Sequence, residues 1–158
     1  ICNFKKNSNG PSIVNKGFKT FDKEVTYEKN YWSIKCSHDG YLSRYGVIHQ
    51  RNIEFDIDKC ILFGKEKLIK KKNFMVTNFE IRFHLLPNIK VTKLQDNKSV
   101  LIELENSGWR FFSNDGLIGV ETGLYFGNKN KYIENQNIFI SGITQNNEQL
   151  IEWQISKI

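Results

Sequence analysis

Val47-Ile48-His49-Gln50-Arg51-Asn52-Ile53-Glu54-Phe55-Asp56-Ile57 alternates residue by residue between two chemistries. The odd positions carry Val47, Ile53, Phe55 and Ile57, and the even ones include Gln50, Asn52, Glu54 and Asp56. Because successive side chains of a strand point to opposite faces, the pattern predicts a strand with one face turned to a core. His49 and Arg51 share the parity of that apolar face. A cation facing a core is costly unless it is paired or opens onto a cleft. Two readings follow: a paired structural cluster, or an opening where the fixed fork of Arg51 meets a planar anion.

The same period recurs on both sides of this stretch. Tyr31-Trp32-Ser33-Ile34-Lys35-Cys36 puts Trp32, Ile34 and Cys36 on one face, and His38-Asp39-Gly40-Tyr41 then breaks the pattern as a turn. Downstream, Met75, Phe79, Ile81, Phe83 and Leu85 are in phase opposite Glu80, Arg82 and His84, and Pro87 ends the run because proline cannot donate to a ladder. Val100, Ile102 and Leu104 predict another strand, followed by the turn Asn106-Ser107-Gly108 and the strand Trp109-Arg110-Phe111-Phe112. Asn114-Asp115-Gly116 is a further turn, and Gly119, Gly123 and Gly127 are expected near strand bends or ends. Ile138-Phe139-Ile140 and Ile151-Glu152-Trp153-Gln154-Ile155 close the chain. Residues 5–30 are polar, with Asn9-Gly10-Pro11 and Gly17 as turn formers, and read as loop with one or two short strands. No helical period survives three turns, so the fold class is all-β: an antiparallel β-sandwich.

A chain of 158 residues fits one domain, 1–158. Alanine is absent and 13% of residues are aromatic, a composition suited to pleated surfaces. The net charge of +6 permits approach to nucleic acid, anionic membrane or acidic polysaccharide without choosing among them. The densest basic run, Lys65, Lys67, Lys70, Lys71 and Lys72, reads as a solvated loop or a strand edge. Cys2, Cys36 and Cys60 lack the spacing of a zinc knuckle or redox pair and read as small hydrophobes, with at most one disulfide among them. No apolar stretch approaches the ~20 residues of a membrane span, and no signal peptide is visible. Ile1 is not an initiator, so the chain reads as a fragment, and that absence says little about the parent's compartment.

The candidate chemistry rests on three histidines, His38, His49 and His84. No short metal motif such as HExxH joins them, so no metal ligand is assigned. His38 reads either as a turn histidine bonded to the backbone beside Asp39 and Gly40, or as a cleft residue at a sheet rim. His84 reads as a satisfied sheet-face histidine. Tyr41 and Tyr45, near His38 and Arg44, suit sugar stacking or proton donation, whereas Trp109 and Trp153 belong to the core. No catalytic triad and no glycine-rich phosphate loop can be read, and basic residues scatter among acids rather than interleaving with exposed rings, which argues against nucleic acid.

Ser37-His38-Asp39-Gly40-Tyr41, Val47-Ile48-His49-Gln50-Arg51 and Arg82-Phe83-His84-Leu85-Leu86-Pro87, in that order and spacing, resemble the C-terminal lobe of the heparinase II/III-like polysaccharide lyases. Gly108-Trp109-Arg110-Phe111 extends the resemblance, and more loosely so do Leu124-Tyr125-Phe126-Gly127 and the ending from Ile143 to Trp153. It covers residues 31–155, while residues 1–30 match poorly. The resemblance implies a two-lobe parent in which an upstream helical toroid precedes the β-sandwich lobe, and in which acidic, uronate-containing polysaccharide is cleaved by β-elimination between the lobes. It implies that the segment is inactive without the toroid, that its own cofactors are none although some full-length relatives place a structural zinc, and that the parent is periplasmic or secreted. His38, Tyr41, His49, Arg51 and His84 are then groove-lining or substrate-contacting, with no catalytic base or acid assigned. The alternative is a noncatalytic carbohydrate-binding or structural β-sandwich. The resemblance does not identify the polymer, nor whether the parent degrades it or remodels it during biosynthesis.

Overall fold

The computed structural model describes residues 3–6, 8–10, 13–71, 75–128 and 131–158; Cys2, Pro11 and Lys72, named above, lie outside them. The described residues are almost entirely strand. An eight-stranded antiparallel sheet is built from β3 (Thr20–Glu28), β4 (Tyr31–His38), β5 (Val47–Asp56), β6 (Ile61–Lys70), β8 (Lys90–Lys93), β9 (Ser99–Leu104), β10 (Ser107–Ser113) and β13 (Glu148–Lys157). Its spatial order is β3-β4-β5-β6-β13-β10-β9-β8. A three-stranded sheet, in the order β11-β12-β7, lies across it and consists of β7 (Asn78–His84), β11 (Leu117–Asn128) and β12 (Lys131–Ile143). β1 (Asn3–Lys5) and β2 (Ile13–Lys16) pair as a separate ribbon.

The alternation read along each chain segment becomes a core once the strands are in register. Trp32 pairs with Phe55, Phe55 with Leu62, Leu62 with Ile155, Ile155 with Phe111 and Phe111 with Val100, so one apolar row crosses six strands. Opposite it, Ile118–Ile140–Ile81 and Val120–Ile138–Phe83 cross the small sheet. Phe83 closes the two layers by lying edge-on to both Phe111 and Trp153, with ring centroids 4.8 Å away in each case. Three strands cannot roof eight. Within the described residues, β3, β4 and the far half of β5 extend beyond the cover, leaving Val25, Tyr27 and Ile34 exposed on the inner face.

Several local expectations are corrected. The leading segment is not mainly loop, since β3 is nine residues long. Its pattern is hard to read because the register slips between Phe21 and Glu24, around Asp22 at φ 51°, and because almost all of the strand is exposed. The turn expected at His38–Tyr41 is present, and a four-residue helix that was not expected, α1 (Leu42–Tyr45), follows it and is ended by Gly46 at φ 67°. Lys65, Lys67 and Lys70 of the lysine run lie neither in a loop nor at an edge but in β6, flanked by β5 and β13. On its outer face Lys67 meets Glu148 at 2.6 Å and Lys65 meets Glu152 at 3.8 Å, so acids from the neighbouring strand compensate the charges. Gly119 and Gly123 lie inside β11 rather than at its ends, with the Phe139 ring filling the space where Gly119 lacks a Cβ. Met75 falls outside β7 and is exposed. Cys36 and Cys60 are free thiols.

Candidate functional site

β4 ends at His38, and the short connection through α1 returns the chain antiparallel, so that His38 pairs directly with His49 of β5. Two residues further along, Arg51 lies opposite Glu66 of β6. Pairing in register puts all four side chains on the inner face, as alternation predicts for His49 and Arg51. Glu66 is 0% exposed, a position a carboxylate tolerates only when its oxygens are saturated with donors.

They are. His49 Nε2 lies 2.6 Å from Glu66 Oε2, Arg51 Nε donates to Oε1 and Oε2 at 2.7 and 2.9 Å, and Trp153 Nε1 donates to Oε1 at 3.2 Å. The indole reaches this position because Trp153 pairs with Gly64, over which its ring lies flat; a Cβ on Gly64 would come within 2.0 Å of the ring. Burial pushes the Glu66 carboxyl upward, but hydrogen bonds from His49 and Arg51 outweigh it, and the group is held below its ordinary value.

The hydrogen bonds also assign the protons. Gly40 N–H donates to His38 Nδ1 at 3.2 Å, so the His38 proton sits on Nε2 and is donated across 3.0 Å to His49 Nδ1. The His49 proton is therefore on Nε2, facing Glu66. The chain Gly40→His38→His49→Glu66 runs in one direction through the two rings onto an ionised carboxylate. Burial, and then the charge that the neighbouring His49 can carry, lower the basicity of His38. Tyr41 covers both imidazoles, with ring centroids 5.3 Å from His38 and 6.3 Å from His49.

Above this cluster is a cleft of ≈ 390 Å³, between β5, α1 and the open edge of β7, lined among others by Tyr41, Tyr45, His49, Arg51, Phe79 and Arg82. Arg51 spends only its Nε on Glu66. Its side chain is 45% exposed, and its two amino groups have no hydrogen-bond partner among the described residues. Arg82 on the far wall is already committed to Glu80 and Glu121. The cleft thus presents one anchored guanidinium with a free fork, beside two tyrosine rings, an arrangement fit for a planar monoanion carried on a ring.

The structure brings together His38, Tyr41, His49 and Arg51. His84 stands apart, on the outer face of the small sheet, where its Nδ1 lies 3.0 Å from Asn137 Oδ1. Glu66, which organises the cluster, was not singled out in the sequence; its signal was an acid at core parity between Lys65 and Lys67. Among the described residues no group of three or more His, Cys, Asp or Glu side chains is placed to hold a metal ion. His38 and His49 spend their facing nitrogens on each other, so this donor set does not fit zinc. No helix of the described residues is long and apolar enough to cross a membrane.

Comparisons with known proteins agree with this architecture. The chain superposes on the heparan sulfate lyase HepC from Pedobacter heparinus with a TM-score of 0.75 at 13% identity, over 88% of this chain and 22% of that one. A heparinase III gene product gives a TM-score of 0.69, also at 13% identity, over 89% of this chain and 22% of the other. The chain therefore spans under a quarter of the length of these solved structures, and at such identity the likeness concerns the fold. Nothing among the curated proteins matches significantly. A family model described as heparinase II/III-like, C-terminal, matches residues 4–154, nearly the whole chain, and the chain accordingly belongs to that family.

Proposed function

We propose that this chain is the β-lobe of a polysaccharide lyase acting by β-elimination on a uronate-containing polymer, and that it forms one wall of the substrate groove. The observation that carries the proposal is the free fork of Arg51, pinned at Nε by a buried carboxylate and open to the cleft. In β-elimination a proton leaves the carbon next to the uronate carboxylate, and charge builds on that carboxylate as it leaves. A fixed cation there lowers the cost of the charge, most of all in a cleft partly shielded from water. Tyr41 and Tyr45 flank the sugar, while His38 and His49 set the floor. Neither imidazole serves as the base in the proton arrangement described above, because the nitrogens of both rings are already engaged. The base and acid therefore come from elsewhere in a two-lobe parent, from an upstream helical toroid, and residues 1–158 alone are inactive. The parent acts on polymer outside the cytoplasm.

The test is binding and turnover in parallel. The isolated chain titrated with a methyl uronide is expected to bind it weakly, and Arg51→Ala to abolish binding, while Arg51→Lys recovers only part because a point charge does not reproduce the fork. The full parent incubated with heparan, alginate and chondroitin is expected to generate an unsaturated, ultraviolet-absorbing product with one of them. Failure of every uronate polymer to give that product, together with unchanged uronide binding by Arg51→Ala, would leave the noncatalytic carbohydrate-binding reading.

A further inference from the structure

The inner face of the large sheet does not stop at the cleft. Along β5 the same face carries His49, Arg51, Ile53 and Phe55, and along β4 it carries His38, Cys36, Ile34 and Trp32. Arg51 and Phe55 are four residues apart, about 14 Å on a strand. There the register aligns Tyr27 of β3, Trp32 of β4 and Phe55 of β5 in one row across three adjacent strands. At ~4.8 Å per strand the row is about 10 Å wide. No strand of the small sheet roofs it among the described residues, and Tyr27 is 81% exposed.

Tyr27 is exposed and Trp32 and Phe55 are half-buried, so the row forms a contiguous, partly open aromatic patch that needs an explanation. Phe55 supports Trp32 from the side, with centroids 5.9 Å apart, so the indole is propped rather than free to collapse. Trp109 and Trp153 both donate their indole N–H to a neighbour, to Ser107 and Glu66 respectively. The Trp32 N–H has no partner among the described residues and is not among the buried unsatisfied atoms, so it reaches solvent. Flat apolar rings with an outward N–H donor suit a ligand that offers C–H faces and hydroxyls together, as a pyranose does. Lys29, in the β3–β4 turn at the same end, is exposed with no ion-pair partner among the described residues.

We infer that Tyr27, Trp32 and Phe55 form a stacking subsite for pyranose rings of the glycan whose carboxylate occupies the Arg51 cleft, a few sugar units further along the polymer. The inference rests on the proposed function for its choice of ligand and deepens it: the lobe reads a chain of sugars, with charge recognised at one end and ring faces at the other. Tyr27 and Trp32 are then specificity-determining contacts for polymer length.

The experiment titrates this chain with uronate oligosaccharides from disaccharide to octasaccharide, and with a neutral octasaccharide, following tryptophan fluorescence and amide NMR shifts. Affinity is expected to rise at least tenfold from disaccharide to octasaccharide. Tyr27→Ala, at an exposed position that no buried contact depends on, should remove at least fivefold of octasaccharide affinity and leave the disaccharide unchanged. Trp32→Phe, which keeps the ring and deletes the N–H, should give a smaller loss in the same direction. Arg51→Ala should weaken both ligands. The inference is overturned if the octasaccharide binds no more tightly than the disaccharide, if Tyr27→Ala leaves it unaffected, or if no saccharide binds. It is also overturned if Tyr27→Ala instead abolishes a concentration-dependent dimer, which would make this face a contact between copies. If Tyr27→Ala weakens the neutral octasaccharide while Arg51→Ala changes nothing, the stacking subsite stands and the uronate reading falls.

Discussion

Glu66 stands among lysines in the sequence and yet has no access to water, because the strand that carries it turns Lys65 and Lys67 outward and Glu66 in. The half of the cluster that lies on β5 was legible: His49 and Arg51 share the parity of a core face, and that parity demanded a counter-charge or an opening. The structure supplies both. What the sequence could not show was which carboxylate, since Arg51 meets Glu66 only through the pairing of two long strands. Glu66→Gln is expected to cost about 2–3 kcal/mol, the scale of lost charge-assisted hydrogen bonds at a buried acceptor. The loss is tempered because Arg51 is half-exposed and can turn its charge to water. Urea denaturation at neutral pH checks it. The pH dependence follows from two lowered values, and both point the same way. A group harder to protonate in the fold contributes stability above its unfolded value and loses it as pH falls through its folded one. Denaturation midpoints should therefore begin to fall below the ordinary histidine value of 6.5, through His38, and fall further below 4.5, through Glu66. His38→Ala should flatten the upper part of that decline, and Glu66→Gln the lower.

At the scale of the element, β6 and β13 show how a missing side chain sets a site. Gly64 lets the Trp153 indole lie on the sheet, which closes the core against Phe83 and carries the N–H to Glu66. Gly64→Ala would force the ring off the strand. The expected cost is about 1–3 kcal/mol of overpacking, with the indole N–H resonance losing its hydrogen-bonded shift. Phe111→Ala, at the centre of the same layer, should cost about 3–5 kcal/mol. β9, β10 and β13 were readable because each has one dry face, whereas the lysines of β6 disguised it as a loop or an edge. β3 and β11 were not: β3 slips register at Asp22 and is nearly all exposed, and β11 carries three glycines that mimic turns while accommodating Phe139 and other bulky partners. The helix α1 is too short to leave any periodic trace.

For the molecule as a whole, the unequal widths of the two sheets decide what is left open. A three-stranded roof over an eight-stranded floor gives a core at one end and an uncovered inner face at the other, with the Arg51 cleft at the boundary. Under the proposed function, the net charge of +6 would favour the approach of an acidic polymer without positioning it on any face. Oligosaccharide affinity should accordingly weaken with added salt, as screening shortens from about 10 Å at 0.1 M to about 3 Å at 1 M. A titration repeated across that range measures it. The strand order carries a different consequence. β13, the last strand among the described residues, sits in the middle of the large sheet, between β6 and β10. Until residues 148–157 have emerged from the ribosome, the growing polypeptide holds two half-sheets whose facing borders are unsatisfied and prone to self-association. The central seam can zip only once those residues are made, and truncating the chain ahead of Glu148 should yield inclusion bodies rather than a smaller, weaker domain.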